Sequence, residues 1–326
     1  MSGPVPIVDV GGLMSEDVNT RRAAARHLGH ACETIGFLVL VNHGVEERVR
    51  SEMRQTALAF FDQPDAEKRL YVSQNGGYRG YTPLATEALA KTLDLETAAD
   101  LFEAFTMGRP NVPDDAYHAV HADDFFAPNI WPDSVTGMKE AWIAYYDAVT
   151  ALAGRLMRGF ALDLDLDEDF FDDKIDKPIS NLRAINYPAQ VKPPKANQIR
   201  CGEHTDYGSL TLVYPDDAPG GLQVLDKSGK WADVPYVPGS FVMNIGDLLA
   251  EWTNDKWVST LHRVVNPPRE TAATAQRLSI AFFHQPNYDA MIECLPSCVG
   301  ANSPAKYEPV MSGEHLHRKV TAQAAA

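Results

Sequence analysis

The chain has 326 residues, of which 45% are hydrophobic and 22% are charged, so it is long enough to bury a full core and lies near the upper limit for one domain. Its formal net charge of -15, with no Lys- or Arg-rich run to offset it locally, disfavours binding to the phosphate backbone of nucleic acids. We therefore expect one elaborated soluble domain without a nucleic-acid partner.

Cysteine usage and the N-terminus indicate the compartment. The four cysteines form no CxxC pair and are expected to be reduced: Cys32, Cys201, Cys294 and Cys298. The first ten residues lack the regions of a signal peptide, and no window holds the roughly 18 apolar residues of a membrane span. The sequence predicts a cytoplasmic protein outside the membrane and leaves its oligomeric state open.

In the N-terminal half, apolar residues recur mostly at helical spacing. The predicted elements are, in chain order, a strand at residues 6–10, a helix at 20–35, a buried strand at 37–41, a helix at 45–61, a loop at 76–82, a strand at 100–107 and a long helix at 138–160. Gly36 is predicted to cap the first helix, because glycine readily adopts the left-handed conformation found at helix ends.

The pattern changes after the long helix. Between residues 182 and 286, short β-type runs alternate with Gly, Pro, Asn or Asp, as at 210–214, 221–225, 240–245 and 278–284. Helices followed by many short strands predict a helical flank around an all-β barrel or sandwich. The alanine-rich end, residues 321–326, is expected to be frayed.

One histidine and one aspartate at strand spacing are candidate metal ligands. His204 and Asp206 lie at the head of a β-type run, where residues two apart point to the same face. His262, in another strand candidate, supplies a third ligand. Two His and one carboxylate leave three positions of an octahedral iron open, which suits a chelating co-substrate and O2.

An arginine follows at the head of a later strand. Arg277 and Ser279 share one face of the strand predicted at 278–284. A guanidinium among Leu, Ile and Phe is costly unless it meets an anion, and its planar fork suits a carboxylate. The partner is either a carboxylate-bearing cofactor or a structural acid, for which Asp247 and Glu251 are the candidates.

Taken together, these motifs closely resemble the isopenicillin N synthase-like family of 2-oxoglutarate/Fe(II) dioxygenases. The resemblance runs over almost the whole chain and rests on Pro6-Ile7-Val8-Asp9, Gly36-Phe37, Asn42-His43-Gly44-Val45, Tyr187-Pro188, His204-Thr205-Asp206, Gly220-Gly221-Leu222-Gln223-Val224, Asn244-Ile245-Gly246-Asp247, Leu261-His262-Arg263-Val264 and Arg277-Leu278-Ser279. It implies an α+β fold that is mainly β with flanking helices, built on a double-stranded β-helix (jelly-roll) core. The expected organisation is one oxygenase domain over residues 1–326, with an N-terminal flank at 1–120 and the core at 180–290.

The resemblance also implies roles for individual residues. The iron ligands would be His204, Asp206 and His262, and the far carboxylate of 2-oxoglutarate would be held by Arg277, Ser279 and Tyr187. Phe283 matches a substrate-facing aromatic of the family, and Tyr207 follows the iron aspartate directly; the alternative for each is core packing. Apart from the resemblance, loops often carry function, which makes Tyr81, Phe105 and the loop at 76–82 candidates to close over the site. His43 is expected to stabilise its turn rather than bind metal.

The implied activity is oxidation of a small organic molecule, most often hydroxylation, with Fe(II), 2-oxoglutarate and O2 as cofactor and co-substrates. Desaturation or ring closure would need only a different fate for the substrate radical. Three alternatives stay open at this point: an Fe(II) oxidase that does not use 2-oxoglutarate, a non-catalytic jelly-roll binding protein, and a zinc hydrolase.

Overall fold

The structure is a computed structural model that describes residues 4–73, 78–93, 98–123 and 125–325. Its helices are α1 Val18–Thr34, α2 Glu47–Phe61, α3 Asp65–Lys68, α4 Ala116–Val120, α5 Met138–Asp163, α6 Asp247–Trp252 and α7 Ser312–Ala325. Its strands are β1 Ile7–Asp9, β2 Phe37–Val41, β3 Gly80–Thr82, β4 Glu103–Gly108, β5 Asn181–Tyr187, β6 Cys201–His204, β7 Leu210–Tyr214, β8 Leu222–Leu225, β9 Trp231–Asp233, β10 Phe241–Ile245, β11 His262–Val264, β12 Arg277–His284, β13 Met291–Ile292 and β14 Val310–Met311.

Two sheets form the core. The larger has the strand order β1-β2-β10-β7-β12-β5-β4-β3, and the smaller has the order β6-β11-β8-β9. Neighbouring strands are antiparallel except for β1 and β2, which are parallel. Side chains of β2 and β10 in the large sheet pack against Val224 of β8, so the sheets face each other. This is the mainly β architecture with flanking helices that the sequence predicts.

The long helix α5 covers the outer face of the large sheet, together with α1 and α2. Helix α1 is capped at its N-terminus by Asp17, whose carboxylate accepts a hydrogen bond from the backbone N–H of Thr20. It ends before Gly36, which has a φ of +65°, and a side chain at this position would collide with the carbonyl oxygen of Val258. The predicted cap is therefore confirmed.

Strand β12 shows how the sequence pattern fixes the two faces of the large sheet. Leu278, Ile280 and Phe282 belong to the core beneath the helices. The alternate residues Arg277, Ser279, Ala281 and Phe283 line a cavity between the two sheets. A one-residue shift in register would exchange these faces. Packing of the apolar face against the core therefore also fixes the direction of the polar side chains, which point into the cavity.

The C-terminus differs from the sequence expectation. Instead of a frayed end, α7 continues to Ala325. Its residues Leu316 and Val320, one helical turn apart, pack with Phe126 and Ile179. In the described part of the chain, no helix combines the length and apolar character that crossing a bilayer requires.

Candidate metal centre and active-site cavity

The three candidate metal ligands converge on one point. His204 ends β6, His262 begins β11, and the two residues stand directly opposite each other in the antiparallel pair. The Nε2 atoms of His204 and His262 lie 3.9 and 3.7 Å from Oδ1 of Asp206. All three ligand atoms lie within 4.8 Å of one another, which is compatible with binding one metal ion.

Backbone carbonyls orient both imidazole rings. Nδ1 of His204 donates to the carbonyl of Gly202 at 2.8 Å, and Nδ1 of His262 donates to that of Thr260 at 3.0 Å. A proton held at Nδ1 leaves the lone pair on Nε2, which is the form that binds metal. Burial, together with the neighbouring imidazole, lowers the pKa of His204 to about 4, so this ring is neutral at physiological pH.

Asp206 lies beyond the end of β6, so strand alternation does not place it as the sequence suggested. Its backbone carbonyl accepts a 2.7 Å hydrogen bond from the N–H of Asp247, and its Oδ2 accepts a 2.6 Å bond from Asn244. Burial opposes the charge, but the facing imidazoles lower the pKa of Asp206, and hydrogen bonds from Thr211 and Asn244 lower it further. The carboxylate is therefore ionised, with Oδ1 turned toward the two rings.

Two imidazoles and one carboxylate form the donor set of an open-sided iron site. The sequence does not predict the contribution of Asn244. Its motif was visible in the sequence, but only the pairing of β10 with β7 brings its amide to Asp206.

Arg277 lies in the same cavity and has no acidic partner among the described residues. Its side chain is buried, Nη1 donates to the carbonyl of Ala218 at 2.9 Å, and Nε has no hydrogen-bond partner in that part of the chain. Burial lowers the pKa of Arg277, and a guanidinium stays protonated in proteins. A buried guanidinium with unused donors fits a carboxylate-bearing ligand.

The alternative that Arg277 pairs with a structural acid is wrong. Asp247 instead binds Lys319 at 2.8 Å, and Glu251 lies 3.8 Å from His315. Both acids are thus engaged elsewhere.

The other predicted co-substrate residues lie beside Arg277. Tyr187 stands directly opposite it in the β5–β12 pair, and Ser279 is the next residue on the same face. All three line the cavity and are buried from bulk solvent. The sequence thus predicted a group of side chains that the fold brings together.

The cavity has a volume of about 780 Å³ and contains both the candidate ligands and Arg277. A volume of this size holds a small organic molecule beside a bound co-substrate. Phe283 and Tyr207 also line it, as predicted for substrate-facing residues. One wall comes from α7 through Leu316, His317, Val320 and Thr321, which the sequence did not predict.

The expectation for the N-terminal half is partly wrong. Tyr81 borders the cavity, but it stands directly opposite Phe105 in the β3–β4 pair, and both rings pack against Phe60 in the helix-covered core. Of the loop predicted at 76–82, residues 76 and 77 lie outside the described residues. His43 is structural, as expected: Nδ1 accepts from the N–H of Val45 and Nε2 donates to the carbonyl of Gly239.

Comparisons with known proteins agree with this geometry. Residues 5–134 match the family described as non-haem dioxygenase in morphine synthesis N-terminal, and residues 178–286 match the 2OG-Fe(II) oxygenase superfamily. The chain is 32% identical to homoarginine-6-hydroxylase 2-ODD-C23.1 of Arabidopsis thaliana, over 97% of this chain and 96% of that protein. This chain belongs to the 2-oxoglutarate/Fe(II) dioxygenase family.

Two further proteins show a similar extent of likeness. The 2-oxoglutarate-Fe(II) type oxidoreductase hxnY of Emericella nidulans is 33% identical over 94% of this chain and 86% of its own length. The crystal structure of a full-length Neurospora crassa protein in complex with alpha-KG and thymine has a TM-score of 0.84 at 32% identity, covering 99% of this chain and 97% of that one.

The protein is therefore a 2-oxoglutarate/Fe(II) dioxygenase with a double-stranded β-helix core. It uses Fe(II), 2-oxoglutarate and O2. This outcome confirms the 2-oxoglutarate-dependent interpretation over the oxidase, binding-protein and zinc-hydrolase alternatives. The ionised Asp206 fits the metal that the family requires, and the Arg277 guanidinium, with no acidic partner in the described chain, fits the co-substrate.

Proposed function

We propose that His204, Asp206 and His262 hold the iron and that the enzyme hydroxylates a small organic molecule. The observation that carries this proposal is the position of the three ligand atoms, within 4.8 Å of one another in the cavity that also contains Arg277. The Nδ1 hydrogen bonds keep both imidazoles in the tautomer that binds metal. Asn244 holds the carboxylate so that Oδ1 faces the rings.

Arg277, Ser279 and Tyr187 hold the far carboxylate of 2-oxoglutarate. The buried guanidinium supports this assignment, because a charge without an acidic partner in the described chain is stabilised by an anionic ligand. Ser279 and the hydroxyl of Tyr187 provide further donors on the same face of the two paired strands.

When bound, Fe(II), 2-oxoglutarate and O2 supply the oxidising chemistry, in which a C–H bond becomes C–OH while 2-oxoglutarate is converted to succinate and CO2. The protein orients the co-substrate through Arg277 and the substrate through the opposite walls of the cavity. Phe283 and Tyr207 contribute apolar surface to those walls. The small molecules named for the relatives, homoarginine and thymine, support a small polar molecule as the substrate.

Several finer assignments are part of the same proposal. The motifs favour the isopenicillin N synthase-like subgroup. The segment from β5 to β12, which contains the candidate iron and co-substrate residues, supports a core at residues 180–290 behind a flank at 1–120 within one domain over 1–326. The four free cysteines support a cytoplasmic location, because disulfides are rare there. The net charge of -15 argues against a nucleic-acid partner.

The experiment is a screen in which succinate release from 2-oxoglutarate is measured against a panel of small molecules with Fe(II) present. We expect at least one compound to raise succinate release in step with a hydroxylated product. Product formation at full rate in buffer free of 2-oxoglutarate would contradict the proposal.

A further inference from the structure

A second arginine lines the cavity away from the co-substrate end. On the cavity face of β5, Tyr187 stands opposite Arg277, and Arg183 lies four residues earlier, opposite Ala281. Four residues of strand span about 13 Å. The cavity lining therefore includes, at a position separate from Arg277, a guanidinium that the proposed function does not use.

Arg183 is already neutralised by an acid of the cavity wall. Its Nη2 lies 2.7 Å from Oε1 of Glu87, and the two side chains are only 17% and 22% exposed. The contact uses one nitrogen and one oxygen, whereas a full fork-to-carboxylate contact uses two of each. Nε of Arg183 and Oε2 of Glu87 have no hydrogen-bond partner among the described residues. The pair therefore keeps one donor and one acceptor without a partner in the described part of the chain.

The fold holds this pair in a fixed position relative to the metal centre. The carbonyl of Glu87 accepts a 2.8 Å hydrogen bond from the N–H of Asp100. The carboxylate of Asp100 accepts one bond from the N–H of Leu89 and another from the N–H of Gly202, at 2.8 and 2.9 Å. Gly202 is also the residue whose carbonyl orients His204. These hydrogen bonds connect the segment that contains Glu87 to β6, the strand that contains the candidate iron ligand His204.

Arg183 is also fixed, because its guanidinium lies 5.4 Å from the centre of the Phe102 ring. Because these side chains are already ordered, they lose little conformational entropy when a ligand binds to them.

The charge of the pair selects the ligand. A carboxylate bound at Arg183 would be repelled by the neighbouring carboxylate of Glu87. A cation bound at Glu87 would be repelled by the neighbouring guanidinium of Arg183. A neutral group with an N–H next to a C=O donates to the glutamate and accepts from the arginine at once, so no buried charge is left uncompensated.

We propose that Arg183 and Glu87 form a substrate anchor that binds a neutral amide-type edge, as in a carboxamide, lactam or ureide. The inference rests on the proposed function, since it assigns the substrate of the same cavity.

The test uses four probes that share a phenyl ring. Benzamide has the amide edge, benzoate is an anion and benzamidine is a cation, all of the same size, and N,N-dimethylbenzamide lacks the N–H and is larger by two methyl groups. Each is titrated anaerobically into the Fe(II) and 2-oxoglutarate complex, and its dissociation constant is measured by calorimetry. The absorption band of that complex reports separately whether iron and 2-oxoglutarate are bound. We expect benzamide to bind about tenfold or more tightly than each of the other three.

Two variants change the charge of the anchor in opposite directions. Glu87→Gln leaves a net positive pair, so the preference should shift toward benzoate, whereas Arg183→Met leaves a net negative site and should shift it toward benzamidine. The matched control is Glu203→Gln, which removes the acid of the Arg263–Glu203 pair, a 3.0 Å ion pair of residues that do not line the cavity. This control should keep the wild-type order of probes.

The results separate the anchor from the proposed function. If the wild type gives no absorption band with 2-oxoglutarate, the proposed function fails. If the band is normal but the wild type prefers a charged probe, binds all four alike or does not bind benzamide, the anchor proposal is overturned. If the wild type prefers benzamide but neither folded variant shifts that preference, the Arg183–Glu87 pair has only a structural role. That result would also overturn the anchor proposal.

Discussion

His262 stands directly opposite His204 across the β6–β11 pair, and the centroids of the two rings lie 4.2 Å apart. Each ring is tied through Nδ1 to the carbonyl two residues before it in its own chain segment. The site is therefore formed by strand register: a shift of either strand by one residue would turn one ring away from Asp206.

Removing a candidate ligand should abolish iron binding while the protein stays folded. For His204→Ala and Asp206→Ala we expect loss of turnover and of bound iron, because two remaining ligands hold Fe(II) poorly. Iron per chain is measured after anaerobic loading, with circular dichroism as the test of folding. His30→Ala, at an exposed position of α1, is the control. Variants that keep both iron and activity would show that the triad is misassigned.

Asn244→Ala should weaken iron binding without removing a ligand. The change deletes the 2.6 Å hydrogen bond that orients Asp206, and loss of such a partner lowers metal affinity by roughly 10- to 100-fold. A competition titration with an Fe(II) chelator measures the change. Gln223→Ala, which removes an amide on β8 bonded to Asp233, serves as control. Equal iron affinity in the variant and the wild type would leave Asn244 with a packing role only.

Arg277→Ala should weaken the binding of 2-oxoglutarate by about 30-fold or more, since loss of one partner of a buried charge-assisted pair costs about 2–5 kcal/mol. Arg277→Lys keeps the charge but loses the planar fork, so an intermediate effect is expected. Iron content should barely change. The readout is a titration of 2-oxoglutarate followed through the absorption band of the anaerobic Fe(II) complex.

The control for this titration is Arg263→Ala, which removes an arginine that pairs with Glu203 and does not line the cavity. Unaltered affinity in Arg277→Ala would mean that the co-substrate carboxylate binds elsewhere.

The stability of the iron-free protein should fall as the pH is lowered from about 6.5 to about 4. Burial lowers the pKa of His284 to about 4, so the unfolded chain takes up a proton in this window while the folded protein does not. The free energy of unfolding should therefore decrease with falling pH, by up to about 3 kcal/mol from this residue.

Denaturation with urea at pH 7 and pH 5 in the presence of a chelator measures this effect. His284→Asn keeps a polar group for the hydroxyl of Ser209, which lies 2.7 Å from Nδ1, but does not titrate. Its stability should depend less on pH than that of the wild type. The same slope in both proteins would contradict the assignment to His284.

Local patterns in the sequence predicted the faces of β12 correctly, because alternation decides which residues share a face. Arg277, Ser279 and Phe283 were assigned to the cavity on that basis and do line it. Phe105 is predicted at the site only from its place near a loop, and this gives no information about which face of β4 its ring occupies. On β4, the helix-covered face also requires aromatic side chains.

Contacts between distant segments could not be predicted in this way. Asn244 reaches Asp206 only through the order of the strands in the large sheet, and nothing near Asn244 in the sequence indicates that neighbour. Helix α7 was missed because its alanine-rich end resembles a frayed terminus. The helix packs on residues more than a hundred positions earlier, and tertiary contacts of that kind override local composition.

Asp247 connects the wall formed by α7 to the metal centre. Its carboxylate binds Lys319 of α7 at 2.8 Å and Thr205 at 3.2 Å, and its backbone N–H binds the carbonyl of Asp206. A displacement of α7 would break the contact between Lys319 and Asp247. The Asp247 carboxylate would then lie without this cation next to Thr205, the residue between His204 and Asp206. The Lys319–Asp247 pair therefore connects the helix that lines one wall of the cavity to the electrostatics of the candidate iron ligands.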